Sequence, residues 1–209
     1  MPKKSYPLDQ EGEKRLTISW KSFWKDFIVK LDGSTIGTLQ GQKELLQGKT
    51  FALSDGSNLE VKLVRTWSST TLQILRDGEP LPGSGSDPAT KLKQSYGLLY
   101  FIGGLNLVLG IIAFLFQVDL LIDLGMGTYS VVVGSIYLLL AFFVQRKSKI
   151  ALGIAIALYG LETMLSLISG VTSGVFVRLF FIVFMWPGFK AINELLEKNE
   201  QAAPNPRST

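Results

Sequence analysis

Cysteine and histidine are both absent from the 209 residues. Without imidazole the chain has no side chain whose ordinary pKa places its charge change between about pH 5 and 8, which removes the usual general base. Without thiol there is no cysteine nucleophile, no Cys/His zinc site and no disulfide. Sidedness therefore has to be read from something other than cysteine usage. Dense runs of Lys and Arg are missing too, and the net charge is only +4, so nucleic acid is not an expected partner.

Charge is also scarce in one half of the chain. Residues 1–95 hold 14 of the 21 Lys and Arg and 11 of the 17 Asp and Glu, whereas residues 96–189 are mostly Leu, Ile, Val, Phe, Ala and Gly. A composition shift this sharp marks a domain boundary near Lys93. The apolar half contains four runs close to the length that crosses a bilayer, which is about 20 residues at a rise of about 1.5 Å each. They span about 96–117, 126–144, 150–169 and 171–189, with Asp119 and Asp123 at the first hairpin tip. The last run is the weakest candidate because Arg178 interrupts it and Pro187-Gly188 closes it.

Lys91, Lys93, Arg146, Lys147, Lys149 and Lys190 all fall on one side of these spans, while the stretches 118–125 and around 170 contain no Lys or Arg. The positive-inside bias then predicts a cell-membrane protein with N and C termini in the cytoplasm. The opening MPKKSYPLDQEGEKRL has no apolar run after it and does not read as a signal peptide.

In the polar half, apolar residues alternate at period two: Leu16, Ile18, Trp20; Phe27, Val29, Leu31; Leu59, Val61, Leu63; Leu72, Ile74. That is the pattern of half-buried strands. Asp-Gly recurs at 32–33, 55–56 and 77–78, and this dipeptide supplies the positive φ of a tight hairpin. The expected fold is α+β: a small antiparallel β sandwich or open barrel of about six strands, followed by a four-helix transmembrane bundle. Its divisions are a disordered tail over 1–15, a cytoplasmic β-domain over 16–82 and a flexible linker over 83–95. The bundle follows over 96–189, with an amphipathic cytoplasmic helix and disordered tail over 190–209. Asp87 or Thr90 is available to cap the first long helix.

Two local features suggest sites. Gly48-Lys49-Thr50 looks like the end of a phosphate-binding loop, but the glycine required at position 43 is Lys43, so no nucleotide is expected. Trp20, Phe23 and Trp24 form an aromatic cluster that either fills a small core or offers an interaction surface, with Lys21 and Lys25 beside it to meet anionic headgroups. The core reading is favoured, because a domain this small needs large side chains to fold.

Inside the spans, Glu162 and Arg178 stand 8 residues before and 8 residues after Gly170. Both therefore sit at a depth of about 12 Å, level with each other, and a charge pair would offset the cost of burying either one. Tyr159 and Ser166 share a helix face with Glu162, and Asn106 is placed to join them as intramembrane polar residues. Ser130-Gly134 and Gly153-Ala157 have the small-residue spacing that allows close helix contact.

The chemistry present favours a non-enzymatic membrane scaffold or accessory subunit whose β-domain binds protein. The alternative is a small oligomeric channel or transporter subunit using the Glu/Arg stripe. Expected partners are the lipid bilayer and either another membrane protein or a second copy of the chain. No catalytic residue, metal or cofactor is expected.

Overall fold

The computed structural model describes residues 1–9, 12–65, 70–119, 122, 126–170 and 174–202. It divides into two compact units, Met1–Thr90 and Lys91–Thr209. Asp123 and the PNPRST tail lie outside the described residues.

The first unit contains two antiparallel sheets built to one plan. Strands β1 (Lys3–Tyr6), β2 (Leu16–Lys21), β3 (Lys25–Leu31) and β4 (Ser34–Leu39) form a four-stranded meander in chain order. After the short helix α1 (Gln42–Gln47), strands β5 (Lys49–Ala52), β6 (Asn58–Arg65), β7 (Thr70–Arg76) and β8 (Glu79–Pro80) form a second. In each sheet an Asp-Gly pair turns the third strand into the fourth, with positive φ at Asp32 and Gly33 and again at Asp77 and Gly78. Successive positive φ values give the turn the twist that matches its strands. Period-two burial follows from this pairing: Leu16, Ile18, Phe27, Val29, Leu59, Val61, Leu63 and Ile74 all point into one core shared by both sheets.

Two divisions expected from the sequence change. Residues 1–15 are not simply a disordered tail, because Lys3–Tyr6 pairs along β2 from Lys3 opposite Ser19 to Tyr6 opposite Leu16. Tyr6 and Leu8 then enter the core. An unpaired β2 edge would leave a row of backbone donors and acceptors open, and this segment closes it. The linker is likewise shorter and more ordered than 83–95. Asp87 accepts from the Gly83 and Ala89 main-chain N–H groups and from the Thr90 hydroxyl, and Ser84 is buried. Helix α2 starts directly after that cap, with Pro88 in the first position, where its missing N–H costs nothing.

Arg76 joins the two sheets. Its guanidinium donates to Asp9 and Asp55, both at 2.8 Å, and to the Leu8 carbonyl at 3.4 Å, while only 24% of its side chain is exposed. The carboxyl of Asp55 is held below the ordinary carboxylate range, first by the Ser57 hydroxyl and main-chain N–H and then by Arg76. Asp32 is held low by its hydrogen bonds from Arg15. A depressed folded-state pKa contributes stability above the ordinary value of about 4, and that contribution disappears as pH falls through the folded value. Hydrogen exchange of the β2–β3 and β6–β7 amides, corrected for intrinsic pH dependence, should therefore accelerate below about pH 4. The β6–β7 part of that acceleration should shrink in Asp55→Asn.

The second unit is helical: α2 (Pro88–Phe116), α3 (Thr128–Gln145), α4 (Lys149–Ile168), α5 (Val175–Met185) and α6 (Pro187–Ala202). Four stretches are long and apolar enough to cross a membrane: α2, α3, α4 and the run Val175–Gln201. The last takes in the amphipathic helix expected after position 189, with a break at Trp186-Pro187 between the two. Proline has no N–H to continue the ladder, and the Phe189 N–H turns back to the Trp186 carbonyl. The Ser95 hydroxyl lies 3.4 Å from the Met185 carbonyl freed by that change. The amphipathic segment places Ala191 and Ile192 in the same core as α4, with Phe189 and Leu195 packed against it and Leu196 left exposed.

Helices α3 and α4 are joined by only Arg146, Lys147 and Ser148. The Lys147 N–H bonds to Val144 and the Ser148 N–H to Phe143, with Lys147 at φ 62, which is a left-handed helix stop. The Ser148 hydroxyl then accepts from the Ala151 N–H and starts α4.

Candidate functional site

Helices α4 and α5 bring together most of the polar residues expected inside the spans. Arg178 reaches back from α5 to α4, where one guanidinium nitrogen donates to the Ser166 hydroxyl at 2.8 Å and to the Glu162 main-chain carbonyl at 3.0 Å. The two charged residues thus meet at one level of the helix pair. The Arg178 hydrogen bonds run to the main chain of Glu162 and to Ser166, and no Glu162–Arg178 side-chain ion pair within 4 Å is present among the described residues. The reason is geometric: Ser166 and the carbonyl one turn before it present two oxygens side by side, and the carbonyl is there whatever side chain position 162 carries.

A second layer of the cluster comes from α3. The Tyr137 ring is 1% exposed and packs edge to face on Tyr159, with ring centroids 5.9 Å apart. Tyr159 also meets Phe181 of α5 at 6.3 Å. The Tyr137 hydroxyl is a buried side-chain atom with no hydrogen-bond partner among the described residues. The Glu162 carboxyl is near enough to interact with that hydroxyl. Thr163 is buried beside them and returns its hydroxyl to the Tyr159 carbonyl at 2.7 Å. Sequence spacing did not single out Tyr137, because it sits among apolar residues of a different helix from the charged ones.

Asn106 does not join this group through its hydrogen bond. Its amide donates to the Ile102 carbonyl of its own helix at 2.9 Å. Of the two small-residue pairs, Ser130-Gly134 lies on a face in tight contact with α2, where a Cβ on Gly134 would stand 2.7 Å from the Gly103 carbonyl oxygen. Gly153 has only the Phe189 ring within 4 Å of such a Cβ, so that pair does not mark a backbone approach.

The aromatic cluster of the first unit divides in two. Trp20 and Trp24 are partly buried against the core and stacked 4.9 Å apart, with Phe27 continuing the stack at 6.1 Å. Phe23 stands outside it, 85% exposed. The Gly48-Lys49-Thr50 segment leads from helix α1 into strand β5, the reverse of the strand-to-helix order of a phosphate-binding loop. Among the described residues no group of three or more His, Cys, Asp or Glu is placed to hold a metal ion. No protein-family model, curated protein or solved structure matches this chain.

Proposed function

We propose that the chain is a multi-pass integral membrane protein acting as a non-enzymatic scaffold or accessory subunit. Both termini lie in the cytoplasm, and the β-domain there takes a protein partner. The observation that carries this reading is where the polar groups of the helical unit spend their hydrogen bonds. Arg178 of α5 is held by Glu162 and Ser166 of α4, which fixes how those two helices meet, while Asn106, Ser135 and Thr163 return their bonds to Ile102, Val131 and Tyr159 one turn back in their own helices, so these groups are spent within the fold. Buried polar groups satisfied inside a structure act on its uniqueness and rigidity.

Purification of the full chain in mild detergent, followed by mass spectrometry, should recover a distinct membrane protein in stoichiometric amount. Sidedness is tested in a chain that has no native cysteine. Single cysteines at Ser57 and Ser148 should react with an impermeant reagent only after the membrane is opened, and one at Ser169 should react in intact cells. Labelling of position 57 from outside would overturn the orientation.

The buried Tyr137 hydroxyl beside the Glu162 carboxyl favours a second reading, an oligomeric channel or transporter subunit, because an ionisable group and a hydroxyl buried together in a polar cluster are a place for water or an ion. Recovery of only a homo-oligomer, with ion flux into liposomes that Glu162→Gln abolishes, would select that reading over the scaffold.

A further inference from the structure

The connection between β2 and β3 holds an aromatic pair in a backbone conformation that aromatic residues avoid. Phe23 has φ 58 and Trp24 φ 64, and Asp26 follows at φ 49. Two successive left-handed residues are what a tight hairpin turn demands, and the residues suited to them are Asn and Gly. A bulky side chain is strained in that region because its Cβ comes too close to the following carbonyl oxygen. For Trp24 there is a compensation, since its ring stacks on Trp20. Phe23 has none: it is 85% exposed at the apex of the hairpin. Strain combined with an exposed aromatic points to a role outside the fold.

The surroundings of Phe23 identify what it meets. β1 runs alongside β2, so Met1 and Pro2 reach the same end of the sheet, where the Trp20 N–H bonds to the Pro2 carbonyl. Met1 is 65% exposed there. Lys3, Lys21 and Lys25, each within two residues of Met1 or Phe23 along the chain, are exposed, and Asp26 is the acid among them, paired with Lys21 at 2.7 Å. An open hollow is lined by Met1, Pro2, Lys21, Ser22, Lys25 and Asp26. The surface that matches an exposed apolar apex flanked by lysines is the interface of an anionic bilayer, where acyl chains accept the ring and lipid phosphates accept the ammonium groups.

We propose that the β2–β3 hairpin tip is a lipid-contact site in which Phe23, with Met1, enters the interfacial layer of an anionic membrane while Lys3, Lys21 and Lys25 meet lipid phosphates. This rests on the membrane reading above, because a chain anchored by its helices holds the tip at high effective concentration near lipid. It differs from that reading in giving the β-domain a lipid ligand besides any protein partner.

The test uses the full chain in nanodiscs, with an environment-sensitive fluorophore on a single cysteine. One version carries it at Ser22, beside the tip, and the other at Leu139, on the exposed apolar side of α3. Spin-labelled lipids should quench the Leu139 probe in every lipid composition. The Ser22 probe should be quenched with a blue shift in nanodiscs containing phosphatidylglycerol, and should stay water-exposed in pure phosphatidylcholine. Removing one lysine with Lys25→Gln should weaken the tip signal about fivefold, in line with the surface attraction of one basic residue. Phe23→Gly should abolish the signal while raising the melting temperature of the domain, so its loss cannot be ascribed to unfolding. If the Leu139 probe is quenched and the Ser22 probe remains in water with anionic lipid, the lipid-contact proposal is wrong and the membrane reading stands. If the Leu139 probe is not quenched, the membrane reading itself fails.

Discussion

Gly103→Ala should destabilise the helical unit strongly, while Gly104→Ala, one residue along, should leave it unchanged or slightly more stable. A Cβ on Gly103 would lie 2.9 Å from both the Gly134 carbonyl oxygen and the Leu138 nitrogen, and these are backbone atoms that cannot rotate away. On Gly104 the same atom meets nothing within 4 Å. Gly134 is the reciprocal position, where a Cβ would stand 2.6 Å from the Leu107 nitrogen and 2.7 Å from the Gly103 oxygen. Gly110 repeats the contact seven residues further along α2, opposite Gly127 and Val131. Helices that meet this closely gain van der Waals contact over their full length, the main attraction available where surrounding lipid is as apolar as the side chains.

Adding a methyl group forces α2 and α3 apart and forfeits those contacts. Overpacking costs about 1–3 kcal/mol for one inserted group in an ordinary core. Gly103→Ala and Gly134→Ala should fall in the upper part of that range, and Gly134→Leu should prevent stable assembly. At Gly104 the greater helix propensity of alanine should contribute up to about 1 kcal/mol in favour of folding. Unfolding of the full chain by titrated denaturing detergent measures each difference. Equal effects at 103 and 104 would show that these helices do not meet through Gly103.

Replacing Arg178 with Met should move two measurements in opposite directions. In the folded bundle Arg178 holds Ser166 and the Glu162 carbonyl. Hydrogen bonds between membrane helices are worth about 1–2 kcal/mol each in model systems. Arg178→Met should therefore lower bundle stability by about 2–4 kcal/mol. The same change removes a charge whose insertion costs about 2.5–3.5 kcal/mol at a helix centre, so the isolated α5 segment should insert more efficiently. Glu162→Gln keeps the main-chain acceptor and should cost less than Arg178→Met, with Ser166→Ala falling between them. If Glu162→Gln and Arg178→Met prove equally damaging, the two side chains interact directly and the main-chain contact is not what holds the helices.

That contrast also explains what spacing along the chain can convey. The matched depth of Glu162 and Arg178 follows from counting residues either side of Gly170, and the helices do meet at that level. The acceptor itself is a carbonyl oxygen, which every residue possesses, so no pattern of side chains distinguishes it. Ser130-Gly134 and Gly153-Ala157 are similarly indistinguishable as sequence, since the spacing i, i+4 allows close contact without naming a partner helix. Strand β1 escaped because Lys3–Tyr6 contributes too short and too charged a segment for periodicity. Its place depends on the open edge of β2, which exists only once β2 and β3 have paired.

Local chemistry was sufficient for β2, β3, β6 and β7 of the first unit and for its Asp32-Gly33 and Asp77-Gly78 turns, because period-two burial and positive φ are properties of adjacent residues. Run length and apolarity were sufficient for four helices able to cross a membrane, because rise per residue and the cost of exposing backbone to hydrocarbon depend on little else. Folding in three dimensions decided the rest: which glycines touch backbone, where Arg178 places its hydrogen bonds, and which aromatic rings of the 20–27 segment are covered. The sequence alone favours the core for those rings without excluding an exposed surface. The turn between β2 and β3 covers Trp24 with Trp20 and leaves Phe23 facing outward, because a side chain at the apex of a hairpin has no neighbouring strand to cover it.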